Sequence, residues 1–214
     1  MFMLLLAGWQ TLLHRYTGQD DILVGSPIAN RQRAEFEPLI GCLINTLVFR
    51  GCLEGNPSFT EFLQRMREVA LGAYAHQDVP FDLLVEILQP ERRANYTPFF
   101  QTVFVLQNAP MKTLQLSNLT LSPLEVDHIA TQFDLILAAV EAKGELKGTL
   151  TYNTDIYVAE TISEMLRDFR RLLEEIVADP KRRVLDIPLG ESGQESFGVA
   201  PPPESARPQD QFVL

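Results

Sequence analysis

Three histidines and two cysteines are the side chains of this 214-residue chain that are best suited to bind a metal or transfer a proton. His14, His76 and His128 are far apart, and neither an HxxH nor a CxxC spacing occurs, so we expect no metal site. If Cys42 and Cys52 lay on one continuous strand, roughly 33 Å would separate them, far beyond disulfide reach. Both cysteines are therefore interpreted as reduced, structural thiols of a cytoplasmic protein.

Several classes of function are disfavoured by what the sequence lacks. Neither GxGxxG nor GxxxxGK occurs, which argues against a phosphate-binding loop, and the GxSxG elbow of serine hydrolases is also missing. Eighteen basic residues against 28 acidic ones give a net charge of −10, whereas nucleic-acid binding needs a clustered positive surface. The apolar start, residues 1–6, is far shorter than the roughly 20 residues that span a membrane. We therefore expect neither a nucleic-acid nor a membrane partner.

Polar residues in a segment that is otherwise apolar form the first candidate cluster, residues 41–46. Asn45 enters a predicted buried strand, where its amide needs hydrogen-bond partners. Two roles are open for this side chain. It either satisfies a strand edge or turn, or it faces a tunnel and bonds a substrate carbonyl or amide.

Two further polar clusters lie downstream. In residues 76–82, His76 could act as a general base by its type, but a turn between two helices, with Asp78 as cap and Pro80 at the start, is the favoured interpretation. In residues 92–101, the two arginines either form a solvated loop or anchor a carboxylate, and Gln101 can satisfy a sheet edge. Residues and spacing alone therefore indicate a domain with a candidate amide-lined pocket.

The elements that must position these clusters alternate between helix and strand. Apolar periodicity, a capping box at Ser58 and Glu61, and Gly and Pro breaks predict about five strands and four helices. This pattern indicates an α/β (α+β) fold with a mixed sheet and helices on one or both of its faces. The predicted helices are 2–17, 59–76, 80–89 and 158–178, and the predicted strands are 22–24, which Gly25–Pro27 breaks, 43–49, 100–106, 135–140 and 146–152.

The composition and the apolar periodicity of the sequence change at Gly190. Residues 190–214 contain a Pro201–Pro203 run and no apolar periodicity, so they are predicted to be a disordered tail or linker after a folded body of residues 1–189. The folded body begins directly with an apolar helix, and no polar segment precedes that helix. We therefore expect it to be a piece of a larger domain.

The three clusters occur in the order and spacing of known family motifs, and residues 4–189 resemble the C-terminal lobe of a nonribosomal peptide synthetase condensation domain. The matching segments are Val24–Arg31 (family VGTPVANR), Ile40–Arg50 (IGFFVNTLVLR), His76–Asp82 (HQDxPFE), Pro90–Arg92 with Thr97–Gln101 (PER…PLFQ), Phe133–Leu135 (FDL) and Tyr152–Asp155 (YNTD).

The resemblance implies a chloramphenicol-acetyltransferase-like fold of two lobes with a tunnel between them. Two carrier proteins deliver thioesters on phosphopantetheine arms, and an amide bond forms in the tunnel, so no cofactor is expected to bind this chain directly. The implied partners are an N-terminal condensation lobe, peptidyl carrier proteins and an adjacent adenylation domain. An exposed inter-lobe face is also expected to promote self-association.

The resemblance also implies roles for individual residues. The tunnel candidates are Gly25, Ser26, Asn45 and Asp134, and residues 110–132 are expected to cross to the other lobe. The residues expected to form the framework of the lobe are Gly41, Thr46, Arg50, His76, Gln77, Asp78, Pro80, Phe81, Arg92, Pro98, Phe100 and Gln101.

One family motif is missing. The catalytic HHxxxDG does not occur, nor does any pair of adjacent histidines, so we expect this chain to be inactive without another lobe. Two alternatives stay open. A stand-alone trimeric acyltransferase of the chloramphenicol-acetyltransferase type would have to use His128. A non-catalytic module that docks carrier proteins is the other, although the acidic charge disfavours it because carrier proteins are commonly acidic.

Overall fold

A computed structural model describes residues 1–91, 96–107, 131–142, 144–190 and 209–213, the last segment and Ala142 as backbone only. No helix within these ranges is both long and apolar enough to cross a membrane. The elements are α1 (Phe2–Thr17), β1 (Asp21–Ile28), β2 (Asn45–Cys52), α2 (Phe59–Ala75), α3 (Phe81–Leu88), β3 (Thr102–Gln107), β4 (Leu135–Ala142), β5 (Glu145–Tyr152), α4 (Ala159–Ala178) and β6 (Gln209–Val213), with short 3-10 helices at Ala34–Phe36 and Val184–Asp186.

Local sequence determines where two of the helices begin and end. α1 ends at Gly18, whose left-handed φ of 68° lets its N–H bond to the carbonyl of His14. α2 begins with the predicted capping box, in which the Ser58 hydroxyl accepts from the Glu61 N–H and the Glu61 carboxylate accepts from the Ser58 N–H at 2.8 Å. Both predictions are confirmed.

The strands form one mixed sheet in the order β2-β1-β3-β4-β5-β6. β1 is parallel to β3 and β3 to β4, whereas β1/β2, β4/β5 and β5/β6 are antiparallel. The predicted hairpin is the β4/β5 pair, and the predicted central strand is β3. The mixed sheet flanked by helices confirms the predicted fold class.

The helices α1, α2 and α4 cover one face of this sheet. α1 packs against both α2 and α4, and all three contact strands. Their shared core includes Trp9, Phe49, Phe104 and Phe169, each at most 1% exposed. The Trp9 indole N–H reaches Thr102 Oγ1 at 3.1 Å, so the largest side chain buries its polar atom with a partner.

The opposite face of the sheet is only partly covered. Side chains alternate along a strand, so the neighbours of core residues point to this second face. Leu23, Val48, Val105 and Ile136 are apolar residues of the second face, and each is half-buried. The sheet therefore has one closed apolar face and one that is partly open.

β1 is longer than predicted. Its pairing with β2 runs without a break from Asp21 opposite Cys52 to Ile28 opposite Asn45, so the predicted break at residues 25–27 is wrong. Gly25 is needed inside the strand because a Cβ there would lie 2.2 Å from the Phe100 ring. A glycine that makes room for a distant ring cannot be distinguished in the sequence from one that ends a strand.

Part of the C-terminal tail is a strand. β6 pairs with β5, placing Gln209 opposite Thr151 and Val213 opposite Lys147, so these five residues depart from the predicted disordered tail. Without β6, β5 would be an edge strand, whose unpaired N–H and C=O groups can accept any extended segment. Such pairing depends on a partner far away in sequence and leaves no local pattern.

Candidate functional site

Asn45, the first residue of β2, has all four hydrogen-bonding positions of its side-chain amide occupied by backbone. Its Nδ2 donates to the carbonyls of Gln77 at 2.9 Å and Val79 at 2.8 Å. Its Oδ1 accepts from the N–H groups of Thr46 at 2.9 Å and Phe81 at 3.1 Å. The amide therefore joins the strand to the turn between α2 and α3, and contact with a substrate stays a prediction.

The bond to Phe81 also shows how α3 begins. The residue before α3 is Pro80, and its N-terminal position has no side-chain cap of its own. The Asp78 carboxylate instead accepts a long bond of 3.4 Å from Gln32, so the prediction that Asp78 caps the helix is wrong. A partner 36 residues earlier satisfies the first helical N–H, which no local capping rule could reveal.

His76 ends α2, as the structural interpretation predicted. Its Nδ1 lies 2.9 Å from the carbonyl of Gly72, one turn earlier, and the residue is exposed. Gln77 likewise donates to the carbonyl of Tyr74 at 2.9 Å. These two side chains satisfy the last carbonyls of the helix.

Four phenylalanines from three of the sequence motifs pack together on the second face of the sheet. The Phe100 ring stacks on Phe133 at a centroid distance of 5.6 Å and contacts Phe81 at 5.7 Å, and Phe81 meets Phe99 edge-to-face at 6.1 Å. Phe100 also lies over Gly25. This aromatic cluster (residues 81, 99, 100 and 133) therefore brings three of the motif segments into contact.

Ser26 follows Gly25 on β1 and is only 3% exposed. It lies opposite Leu47 of β2, two residues from Asn45. Ser26 and Asn45 are thus neighbours at one end of the β1/β2 pair. A tunnel role for Gly25 and Ser26 stays a prediction.

Asp134 lies in a cleft at the other end of the sheet. The cleft has a volume of about 200 Å³ and lies between the end of α1 and the first residues of β1, β3 and β4. Burial raises the pKa of the Asp134 carboxyl, and within the described ranges this carboxylate has no hydrogen-bond or salt-bridge partner. The residues lining the cleft are Leu13, Thr17, Gln19, Asp21, Ile22, Leu23, Phe99, Gln101, Thr102, Asp134, Leu135 and Tyr157.

Tyr157 lines this cleft and was not singled out by its sequence. Burial, followed by the negative charge of Asp134, raises the pKa of Tyr157 to about 12. The tyrosine therefore stays a neutral phenol near neutral pH. Its position just after the YNTD segment was the only indication that the sequence offered.

The structure does not bring all tunnel candidates together. Gly25 lies opposite Val103 and Val103 opposite Ile136, which defines one level across the sheet. Asn45 lies three residues beyond that level and Asp134 two residues before it, since Asn45 is opposite Ile28. At about 3.3 Å per residue, roughly 16 Å along the strands separates them. The tunnel candidates therefore lie at two separate sites. One contains Asn45 and Ser26, and the other contains Asp134 and Tyr157.

Two arginines of the motifs have structural partners. Arg50 forms a two-pronged salt bridge with Asp21, both contacts being 2.8 Å. Arg31 donates to the carbonyls of Leu39 at 2.9 Å and Gly41 at 3.0 Å, and also to that of Phe36. Arg31 therefore holds the exposed loop before β2 in one shape, a role that its sequence did not reveal.

The remaining framework candidates are partly described. Gln101 donates to the carbonyl of Thr97 at 3.0 Å, within a turn that contains Pro98, and not to a sheet edge. Arg92 and Arg93, residues 110–130 of the predicted crossing segment and His128 lie outside the described residues.

The cysteines do not share one strand, because β2 begins after Cys42. Cys42 and Cys52 are both free and exposed. Within the described part of the chain, no three His, Cys, Asp or Glu side chains are close enough to hold a metal ion.

Comparison with known sequences identifies relatives of this chain. It is 48% identical over 199 residues to one of the polypeptides of linear gramicidin synthase from Brevibacillus parabrevis, an alignment that covers 92% of this chain and 4% of the relative. It is 41% identical over 189 residues to chondramide synthase cmdD from Chondromyces crocatus, covering 88% of this chain and 5% of that protein. The chain thus spans only a small fraction of the length of these relatives.

Solved structures share the fold. The X-domain from teicoplanin biosynthesis matches with a TM-score of 0.81 and 26% identity, over 88% of this chain and 44% of that one. The four-domain nonribosomal peptide synthetase AB3403 matches with a TM-score of 0.75 and 24% identity, over 86% of this chain and 15% of that one. The sequence model described as "Condensation domain" matches residues 1–195. This chain therefore belongs to the condensation domain family.

Proposed function

We propose that this chain is the C-terminal lobe of a condensation domain in a nonribosomal peptide synthetase, and that the whole domain forms amide bonds. The main support is the share of a related domain that it covers, since 88% of this chain superposes on 44% of the teicoplanin X-domain. The motif order supports the same placement. We assign residues 1–189 to the lobe, and the remaining residues 190–214 include β6, which pairs with its sheet.

In the proposed reaction, the acceptor amine attacks the carbonyl carbon of the donor thioester. A carbon–nitrogen bond forms, the carbon–sulfur bond breaks, and the proton lost by the amine ends on the released thiol. Peptidyl carrier proteins deliver both substrates on phosphopantetheine, and an adenylation domain follows the condensation domain. Because the substrates arrive tethered, the contribution expected of this lobe is positioning.

The HHxxxDG motif does not occur in this chain, so the catalytic histidine of the proposed reaction comes from an N-terminal lobe. This lobe supplies one wall of the tunnel. Gly25, on the strand beneath the aromatic cluster, is its proposed lining residue. Ser26 is 3% exposed and alternates to the other face of β1, so we propose that it supports the wall from behind. The half-buried apolar residues of the second sheet face support an inter-lobe role for that face.

Asn45 and Asp134 differ in the roles that their contacts support. The Asn45 amide is fully occupied by backbone, so we assign it to shaping the wall through the Gln77–Phe81 turn. The Asp134 carboxylate has no such partner among the described residues, and it lies in a cleft of about 200 Å³. Asp134 is therefore the proposed direct contact to a substrate, and a positively charged amine is the group it would favour.

A reconstitution experiment tests this function. The purified chain is mixed with a separate N-terminal lobe that carries HHxxxDG and with two loaded carrier proteins, and the amide product is detected by mass spectrometry. Product is expected only when both lobes are present. A control N-terminal lobe with the second histidine of the motif replaced by alanine is expected to give none. Amide formation by this chain without the other lobe would overturn the proposal.

A further inference from the structure

The segment that follows α4 crosses back over the helical layer and is tied to it at several points. We call residues 184–190 the strap. Arg15 of α1 donates to the strap carbonyls of Val184 at 3.1 Å and Ile187 at 2.7 Å. Val184 is fully buried and Ile187 is 1% exposed, so the strap also fills a place in the core.

The loop before α2 holds the strap from a second side. The Leu185 N–H donates to the Asn56 side chain at 3.0 Å, and Arg183, just before the strap, donates to the Asn56 carbonyl at 2.7 Å. The Val184 N–H donates to the carbonyl of Pro57 at 3.0 Å. These contacts hold the first half of the strap, but none reaches its last residues.

The end of the strap is held by Asp168, a carboxylate on the inner side of α4. Asp168 is only 6% exposed, and its two oxygens have different partners. Oδ2 accepts from the Tyr16 hydroxyl at 2.8 Å, and Oδ1 accepts from the backbone N–H of Gly190 at 2.9 Å. Burial and this hydrogen bond raise the pKa of Tyr16, so the phenol keeps its proton and goes on donating.

A side chain at the last residue of the strap would displace the Asp168 carboxylate. A Cβ at Gly190 would lie 2.8 Å from Asp168 Oδ1, closer than real Cβ atoms approach a neighbour. The carboxylate and the glycine therefore fit one another. Burying a carboxylate is costly unless it is fully partnered, and the tunnel and the aromatic cluster make no use of Asp168.

We propose that Asp168 is a positioning residue that anchors Gly190 and thereby fixes where the strap ends against α4. Its partner is this chain's own C-terminal segment, and the Tyr16 hydroxyl holds the carboxylate in place. The chain between the strap and β6 would then begin from a fixed point, which limits where β6 can reach β5. The anchor does not rest on the proposed function.

Amide hydrogen exchange measured on the 214-residue chain tests the anchor without any amide-forming assay. In Asp168→Ala, exchange of the Gly190 amide is expected to accelerate at least tenfold, while amides in β3 keep their protection. Asp168→Asn keeps one acceptor oxygen, so the exchange rate of its Gly190 amide is expected to lie between those of the parent chain and Asp168→Ala. Arg170→Ala, an exposed change on the same helix, is the matched control and should leave the Gly190 amide unchanged.

Gly190→Ala disrupts the same contact by a change in the strap. It supplies a second test in case Asp168→Ala, a change in the core, does not fold. It is expected to accelerate exchange at residue 190 and to increase cleavage by an added protease at the end of the strap. Unchanged exchange at residue 190 in Gly190→Ala, or in a folded Asp168→Ala, would overturn the anchor. Failure of the reconstitution experiment would leave these outcomes unaffected, so the two proposals fail separately.

Discussion

The side-chain oxygen of Asn45 accepts a hydrogen bond from the backbone N–H of Phe81 at 3.1 Å, so the first residue of β2 caps the first residue of α3. The same amide donates to two carbonyls of the intervening turn. One side chain thus joins the segment matching IGFFVNTLVLR to the segment matching HQDxPFE. This link needs no contact to substrate.

Replacing this amide is expected to destabilise the fold. Asn45→Ala removes four hydrogen bonds and should lower the free energy of unfolding by about 1–3 kcal/mol, because partly buried backbone groups lose their partners. Urea unfolding followed by circular dichroism measures the change. Gln64→Ala, which removes an exposed amide from α2, is the control and should have little effect. Equal stability of the two variants would show that the Asn45 amide is not holding the turn.

Gly25 is expected to be intolerant of a side chain because of Phe100. The Cβ of Gly25→Ala would lie 2.2 Å from the ring, so the ring must move, at a cost of about 1–3 kcal/mol. Gly72→Ala is the contrasting control, since nothing lies within 4 Å of its Cβ in α2, and it should stabilise by about 0.5–1 kcal/mol.

A double-mutant cycle tests the cause of the effect at Gly25. In a Phe100→Ala background, Gly25→Ala should cost much less than in the parent chain, because the clashing ring is gone. Unfolding free energies of the four proteins supply the coupling energy. A coupling near zero would mean that some other feature of β1 requires the glycine.

The positions of α1, α2, α4 and the β4/β5 hairpin could be predicted because each depends on neighbours in the sequence. Gly18 ends α1 through its own left-handed backbone, and the Ser58–Glu61 box needs only a spacing of three residues. Such features require no knowledge of the tertiary structure.

The features that could not be predicted all depend on partners that are distant in sequence. Gly25 lies within β1 because of Phe100, and α3 is capped by Asn45 and not by the nearby Asp78. The Asp168–Gly190 contact spans 22 residues. The motifs of the family marked most of these residues, but only the fold reveals which pairs of them touch.

Asp134 is expected to make stability depend on pH in a definite direction. Burial raises the pKa of its folded-state carboxyl above the unfolded value, so its contribution to stability is fully present below the unfolded pKa and is lost as pH rises through the folded pKa. Asp134→Asn should therefore gain stability relative to the parent chain as pH increases over that range. Thermal unfolding of both proteins from about pH 3 to pH 8 measures the difference.

Two readouts separate a structural from a substrate role for Asp134. If the difference in stability between Asp134→Asn and the parent chain did not change with pH, it would contradict a raised pKa of the Asp134 carboxyl in the folded state. In the two-lobe reconstitution, Asp134→Asn should also weaken amide formation if the carboxylate contacts the acceptor amine. Asp155→Asn, an exposed carboxylate in the neighbouring turn, is the matched control for both measurements.

Exposed apolar side chains on the loop before β2 and on α3 are expected to drive self-association of the isolated chain. Ile40 is fully exposed, Ile44 is 64% exposed and Ile87 is 67% exposed. Changing Ile40 and Ile87 to lysine should shift the chain towards monomer in light scattering coupled to gel filtration. Val177→Lys is the control, because Val177 is 77% exposed but lies at the far end of α4. An equal shift towards monomer in Val177→Lys and in the Ile40/Ile87 double variant would rule out these two isoleucines as the specific interface.

His128 decides between the two-lobe proposal and a stand-alone acyltransferase. If the catalytic histidine comes from the N-terminal lobe, His128→Ala should leave reconstituted amide formation within about twofold of the parent chain, since His128 then takes no part in the proton transfer. His76→Ala serves as a second comparison, because His76 is exposed and its ring faces a carbonyl at the end of α2. A loss of several orders of magnitude from His128→Ala alone, with folding intact by circular dichroism, would favour the stand-alone enzyme, because removal of a general base commonly costs about 10²–10⁴-fold in rate.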